Sequence, residues 1–161
     1  TAPSGEKSYG KSQRRKDLTA IVAAHRIPYV ATGSVSHWND LITKSEKAFL
    51  ADGPAFLNVI SMCHRGWGFP QEDTVEISRL AVDTCFWPLY EIVNGKLKIT
   101  YKPKTKVPVT EWLSRQTRFS HLVKEEYAVV AAQIQKDIDG DWERLLKIEA
   151  LDAFDGAQHQ P

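Results

Sequence analysis

Residues 28–34 read PYVATGS and residues 55–61 read AFLNVIS. Each is a run of strand length, largely apolar, with no strict apolar–polar alternation. Strands of that kind suit a sheet covered on both faces, the usual setting of parallel strands. Between the two runs, Ser36 offers an N-cap for a helix over 37–51. Trp38, Leu41, Ile42, Ser45, Ala48 and Phe49 recur near one face of that helix. Asp52-Gly53-Pro54 stops it. Upstream, Asp17 offers an N-cap for a shorter helix, LTAIVAAH (18–25), which Pro28 ends. Helix, strand, helix, strand is the rhythm of an α/β fold, here one part of a doubly wound parallel sheet.

Downstream the character changes. MCHRGWGFPQED (62–73) is a loop leaving the carboxyl end of the second strand. Thr74 offers a cap for a helix over 75–86, with Ile77, Leu80, Ala81 and Thr84 facing inward. PLYEIVNGKLKITY (88–101) is a hairpin, because Asn94-Gly95 between β-rich runs is the strongest short hairpin signal. KPKTKVP (102–108) reads as a basic connector, Thr110 as the cap of a short helix, and 123–151 as a long helix with Gly140 as a candidate break. Residues 155–161, DGAQHQP, read as a frayed tail. Residues 1–16 read as a loop broken by Pro3, Gly5 and Gly10, with five basic residues against Glu6. They hold almost no apolar side chains, so burial cannot offset an ordering entropy of about 1–2 kcal/mol per residue. Their order is expected to come from a cofactor or a partner.

The 161 residues are 42% hydrophobic and 25% charged, ordinary values for a globular chain able to bury a core. A net charge of +1 gives no global field that favours nucleic acid or a membrane surface. No apolar run approaches the ~18 residues of a membrane span. Two cysteines, Cys63 and Cys85, make no disulfide framework and fit a reducing cytoplasm.

Ligands of open α/β sheets sit outside the carboxyl ends of the strands. Ser61-Met62-Cys63-His64-Arg65-Gly66-Trp67-Gly68 is in that place, with a thiol, a cation, an aromatic ring and two glycines. Two readings of Cys63 stand open at this point. It is a small core hydrophobe, as free cysteine often is, or it is one metal ligand whose companions come from outside the chain, since a cluster takes four. Cys85, late in the 75–86 helix, reads as core packing. His25, His37, His121 and His159 show no ligand spacing, and GEKSYGK (5–11) lacks the Walker A spacing. Trp67, Trp87, Trp112 and Trp142 read as packing or interface anchors. No paired carboxylates or Ser-His-Asp pattern stands out, and no catalytic residue is assigned.

Four collinear segments carry a family resemblance: RKDLTAIVAAHRIPYVATGSVSH (15–37), GPAFLNVISMCHRGW (53–67), LAVDTCFWPLYEI (80–92) and YKPKTKVPVTEWLSRQTRFSHL (101–122). Together they resemble the C-terminal part of the thiamine-pyrophosphate-binding beta subunit of the 2-oxoacid:ferredoxin oxidoreductases of the pyruvate synthase type. The resemblance implies an enzyme that oxidatively decarboxylates a 2-oxoacid, pyruvate first, with coenzyme A, passing electrons through 4Fe–4S clusters to ferredoxin. It implies thiamine pyrophosphate and magnesium bound through motifs absent from this chain. It also implies that Cys63 aligns with the fourth cysteine of a 4Fe–4S cluster whose other three lie in the N-terminal half. The opening TAPSG resembles the segment just past the thiamine motif. Relatives commonly have proline where His64 and Arg65 stand, which leaves the substrate and the cluster potential open.

The resemblance divides the chain into the C-terminal half of the cofactor-binding domain (1–72) and a C-terminal extension (73–161) that packs on partner subunits. It implies a cytoplasmic hetero-oligomer, inactive as this chain alone. The partners would be the N-terminal half of the beta subunit, other subunits and ferredoxin, with no nucleic acid and no membrane span. Two parallel strands alone leave edges to be paired, in accord with such partners. A phenylglyoxylate or other 2-oxoacid dehydrogenase is the alternative within the family. A non-catalytic subunit-interface module with Cys63 merely buried is the alternative outside it.

Overall fold

The computed structural model describes residues 4–5, 8–10 and 13–158. Residues 1–3, Glu6, Lys7, Lys11 and Ser12 of the basic entry, and residues 159–161 of the tail, lie outside the described residues. Where the entry was expected to be all loop, two short antiparallel strands pair, β1 (Ser4–Gly5) and β2 (Ser8–Tyr9). Helix α1 (Leu18–Ala23) starts where Asp17 predicts, and the Asp17 carboxylate accepts from the Ala20 amide at 3.0 Å.

Strand β3 (Tyr29–Ser34) is buried along its whole length. Helix α2 (Trp38–Leu50) returns over the sheet to β4 (Ala55–Ile60), which pairs parallel with β3, Tyr29 opposite Ala55. The close fit of α2 has a local cause at Gly33: a Cβ there would come 2.8 Å from Leu41 Cδ1. His37, not Ser36, stands at the N-cap of α2. The Ser36 hydroxyl is held by Ser34 Oγ at 2.8 Å and His37 Nδ1 at 3.0 Å. It is therefore spent on the strand end rather than on the helix. Strand β4 is less buried than its apolar run suggests; among the described residues it lies at the sheet edge and is mostly half-buried.

A short helical turn, α3 (His64–Trp67), follows, and after a 3₁₀ turn comes α4 (Thr74–Asp83). Thr74 lies inside that helix, its hydroxyl donating to the Gln71 carbonyl, and the helix ends three residues before the expected 86. The hairpin forms as read. β5 (Leu89–Val93) and β6 (Lys96–Tyr101) turn at Asn94 and Gly95, both with positive φ. The hairpin does not stand apart. β5 pairs antiparallel with β3, giving the strand order β4-β3-β5-β6. The fold is α/β, with a mixed sheet whose only parallel pair among the described residues is β3–β4.

The rest is helical. Pro108, not Thr110, precedes α5 (Val109–Ser114). Two 3₁₀ turns occupy 120–127, and α6 (Ala128–Gln158) runs unbroken through Gly140, where nothing crowds the backbone. It starts later than expected and takes in part of the expected tail. Its Glu149 accepts from the Ile99 amide at 2.7 Å, tying the helix to β6. One apolar core joins Met62, Phe69, Ile77, Leu89, Trp112 and Leu122, drawing the loop after β4 onto α4, α5 and the 120–123 turn. No helix among the described residues is long and apolar enough to cross a membrane.

Candidate functional site at the carboxyl end of β4

The loop after β4 is anchored at both ends and open in the middle. Met62 and Phe69 are buried in the core, while Ser61, Cys63, Arg65 and Gly66 between or beside them are exposed. Cys63 sits at the N-cap of α3, and its carbonyl accepts from the Trp67 amide at 3.0 Å. The chain leaves α3 through Gly68 at φ +70. Aligned with the carboxyl end of β4, the exposed thiol stands where α/β sheets present ligands. Trp67 packs edge-on to Trp112 at 6.0 Å, which fixes the turn against α5.

The two cysteines differ sharply. Cys85 is not within α4 but just beyond it, at φ +61, and it is 2% exposed in the core. Burial pushes its thiol up to about 11, so on the order of one molecule in a thousand is thiolate at pH 8. In metal-free protein, iodoacetamide at pH 8 is therefore expected to modify Cys63 and leave Cys85 intact until denaturant is added, as read by peptide mass spectrometry. Cys85 labelling should rise with pH toward its elevated value. Equal labelling of both thiols in folded protein would contradict this.

As a ligand set the loop is incomplete. No group of three or more His, Cys, Asp or Glu able to hold a metal ion forms among the described residues. One exposed thiolate donor suits one corner of a cluster and no more. His25 is exposed, and His37 packs edge-on to Tyr101 at 4.5 Å, with burial first among the causes that push its imidazole down. His121 is buried against Tyr127, its Nε2 without a partner among the described residues. None of the three joins Cys63 in a ligand group. Trp87 and Trp112 are core anchors as expected, their indole N–H groups donating to the Gly33 and Ile77 carbonyls.

The residues that fix the turn from the far side were not legible beforehand. Thr117 donates to the Gly68 carbonyl through its amide at 2.9 Å and its hydroxyl at 2.7 Å, and the Arg118 amide reaches the Trp67 carbonyl at 3.5 Å. A contact spanning some fifty residues has no periodic signature.

No family model matches the chain. Curated relatives do. It is 48% identical over 139 residues to pyruvate synthase subunit PorB of Methanocaldococcus jannaschii, covering 86% of this chain and 45% of the relative. To pyruvate synthase subunit PorB of Thermotoga maritima it is 46% identical over 152 residues, 94% of this chain and 47% of the relative. Over the matched half, the chain is similar to subunits of pyruvate synthase named PorB. It is also similar to ketoisovalerate oxidoreductase subunit VorB of Pyrococcus abyssi, 40% identical over 148 residues, 91% of this chain and 46% of the relative. The chain thus spans about half the length of the curated relatives it matches. The PorB matches accord with the resemblance that the four collinear segments carry.

Proposed function

We propose that this chain is the C-terminal part of the thiamine-pyrophosphate-binding subunit of a 2-oxoacid:ferredoxin oxidoreductase, and that Cys63 is one thiolate ligand of its 4Fe–4S cluster. The observation that carries the reading is an exposed thiol at the carboxyl end of β4, in a chain whose relatives are oxidoreductase subunits. Pyruvate is the substrate proposed first, from the PorB relatives. The VorB match keeps a branched 2-oxoacid as the second.

In this reading thiamine pyrophosphate with magnesium supplies the decarboxylation chemistry, with coenzyme A as acyl acceptor, and clusters carry single electrons to ferredoxin. The chain's own part is structural and local. Met62 and Phe69 hold the loop ends in the core, so the Cys63 thiolate is presented rather than buried. Residues 1–72 complete the cofactor-binding domain, and residues 73–161 form the extension that meets other subunits. The exposed flank of β4 is the edge offered to the N-terminal half, and the protein is cytoplasmic.

The test replaces Cys63 by Ser in the assembled oxidoreductase. Iron should fall by about four atoms per subunit, the cluster spectrum should be lost or become labile, and ferredoxin reduction should drop while thiamine binding persists. Cys85→Ser should leave iron in place. Full iron and an unchanged spectrum in Cys63→Ser would overturn the ligand assignment and favour the interface-module reading.

A further inference from the structure

Arg14, Arg115 and Arg144 pair with Asp141, Glu76 and Asp17 in open water, every side chain between 41% and 61% exposed. Arg118 reverses that pattern. It is partly buried, and no carboxylate among the described residues pairs with it. Its guanidinium carbon lies 3.5 Å from the centre of the Trp67 ring and 4.5 Å from that of Phe119. Its Nε donates to Gln116 Oε1 at 3.1 Å. Gln116 is itself fully buried, fixed by its amide donating to the Trp112 carbonyl at 2.8 Å. The guanidinium is thus held in plane by an aromatic floor and aligned by one hydrogen bond. No hydrogen bond within the described residues engages its two terminal nitrogens.

A cation withdrawn from water is normally paired. Aromatic faces and a neutral amide stabilise this one only in part. Burial lowers the Arg118 guanidinium to about 10, so the charge persists at neutral pH. The Nε edge is spent on Gln116, which leaves the end of the fork that receives two oxygens side by side. The neutral walls suit one oxyanion rather than a cluster of charges.

We propose that Arg118 is the docking residue for an oxyanion, a carboxylate or a phosphate, presented at the Cys63 turn from outside this chain. The turn and the arginine are one unit, because the Arg118 amide bonds the Trp67 carbonyl and the guanidinium lies on the Trp67 ring. The proposal is independent of cluster ligation at Cys63, and neither readout below counts iron.

The experiment labels the wild-type assembly with phenylglyoxal and follows Arg118 by peptide mass spectrometry, with exposed Arg65 as the internal standard. If the oxyanion is a small phosphate, inorganic phosphate slows Arg118 labelling at least tenfold at saturation and leaves Arg65 unchanged. If it is a carboxylate of a neighbouring polypeptide, phosphate has no effect, and diluting the assembly into its subunits speeds Arg118 labelling at least tenfold. Arg118→Met keeps an apolar stem on Trp67 and removes the fork. It should weaken phosphate binding in the first case, or subunit association in the second, at least tenfold. Arg118→Lys, a point charge without a fork, should restore only part. Labelling of Arg118 that neither phosphate nor dilution changes overturns the proposal, and that measurement needs no variant to fold.

Discussion

Replacing Lys44 by Met should lower the stability of the protein by about 3–5 kcal/mol, the range for removing one partner of a buried charge pair. Lys44 is 1% exposed on α2, beneath the sheet. Its ammonium donates to Asp40 at 2.7 Å, to the Thr32 carbonyl at 2.9 Å and to the Thr100 hydroxyl at 2.8 Å, so all three protons are used. Met keeps the stem and fills most of the volume, so the loss reads out the ammonium rather than a cavity. Asp40 loses its cation, and the Thr32 carbonyl in the central strand loses a donor. The midpoint of thermal unfolding should fall on the order of 10 °C. Asp40→Asn in the Lys44→Met background should cost less than it does alone, because the carboxylate is then already unpaired.

The same site makes a pH prediction. Burial is the largest influence on Lys44 and pushes its amine below the ordinary lysine value of 10.5, with Asp40 opposing. Between that lowered value and 10.5 the unfolded chain binds more protons than the folded one, so stability contributed through this group rises with pH there. Burial of Cys85 acts with the opposite sign, since its raised thiol makes the unfolded chain lose protons first. The difference between wild type and Lys44→Met therefore isolates the lysine. That difference should widen as pH rises toward 10.5. A difference that is small and flat with pH would show that Lys44 is not charged and bonded as described.

Much of the fold was legible because its signals are local. Asp17 caps α1, PYVATGS and AFLNVIS form the parallel pair, and Asn94-Gly95 turns the hairpin. What escaped was set by contacts distant in sequence. Nothing in residues 88–101 says that the hairpin pairs with β3, a choice fixed by Tyr29 opposite Val93 and by the Tyr29 hydroxyl on buried Glu91. Ser36, Thr74 and Thr110 all have N-cap chemistry, yet the Ser36 hydroxyl is held at the strand end, the Thr74 hydroxyl bonds the turn before α4, and Thr110 lies inside α5 behind Pro108. Apolar pattern alone could not show that β4 lies at an edge among these residues. At the site, the loop and its thiol were identifiable from the strand that precedes them. Thr117 and Arg118 were not, because the residue types that clamp a turn have no spacing to betray them.

Those clamping residues define the last expected result. Gly66 and Gly68 flank Trp67 in the same turn and look equivalent in the sequence, but alanine at the two should act very differently. At Gly66 an added Cβ would meet only Cys63 Sγ, at 3.9 Å, an ordinary contact. The position is within a helical turn, where alanine is favoured over glycine, so Gly66→Ala should be neutral or slightly stabilising. At Gly68 the backbone is at φ +70, and a Cβ would stand 2.7 Å from Thr117 Cβ and 2.9 Å from its hydroxyl oxygen. Strain in the left-handed region and the displaced neighbour together should cost about 2–4 kcal/mol. Thr117 cannot retreat and still donate twice to the Gly68 carbonyl, so the 116–119 segment must lift from the turn. Hydrogen exchange at the Thr117 amide should accelerate at least tenfold, and the Arg118 stack on Trp67 should loosen. Thr117→Gly removes the clashing Cβ, so it should recover the steric part of the loss in the double variant while leaving the backbone strain. The two effects should therefore be strongly non-additive. If Gly68→Ala unfolds no more easily than Gly66→Ala, the close approach of Thr117 is not a feature of the folded protein, and the clamp on the Cys63 turn goes with it.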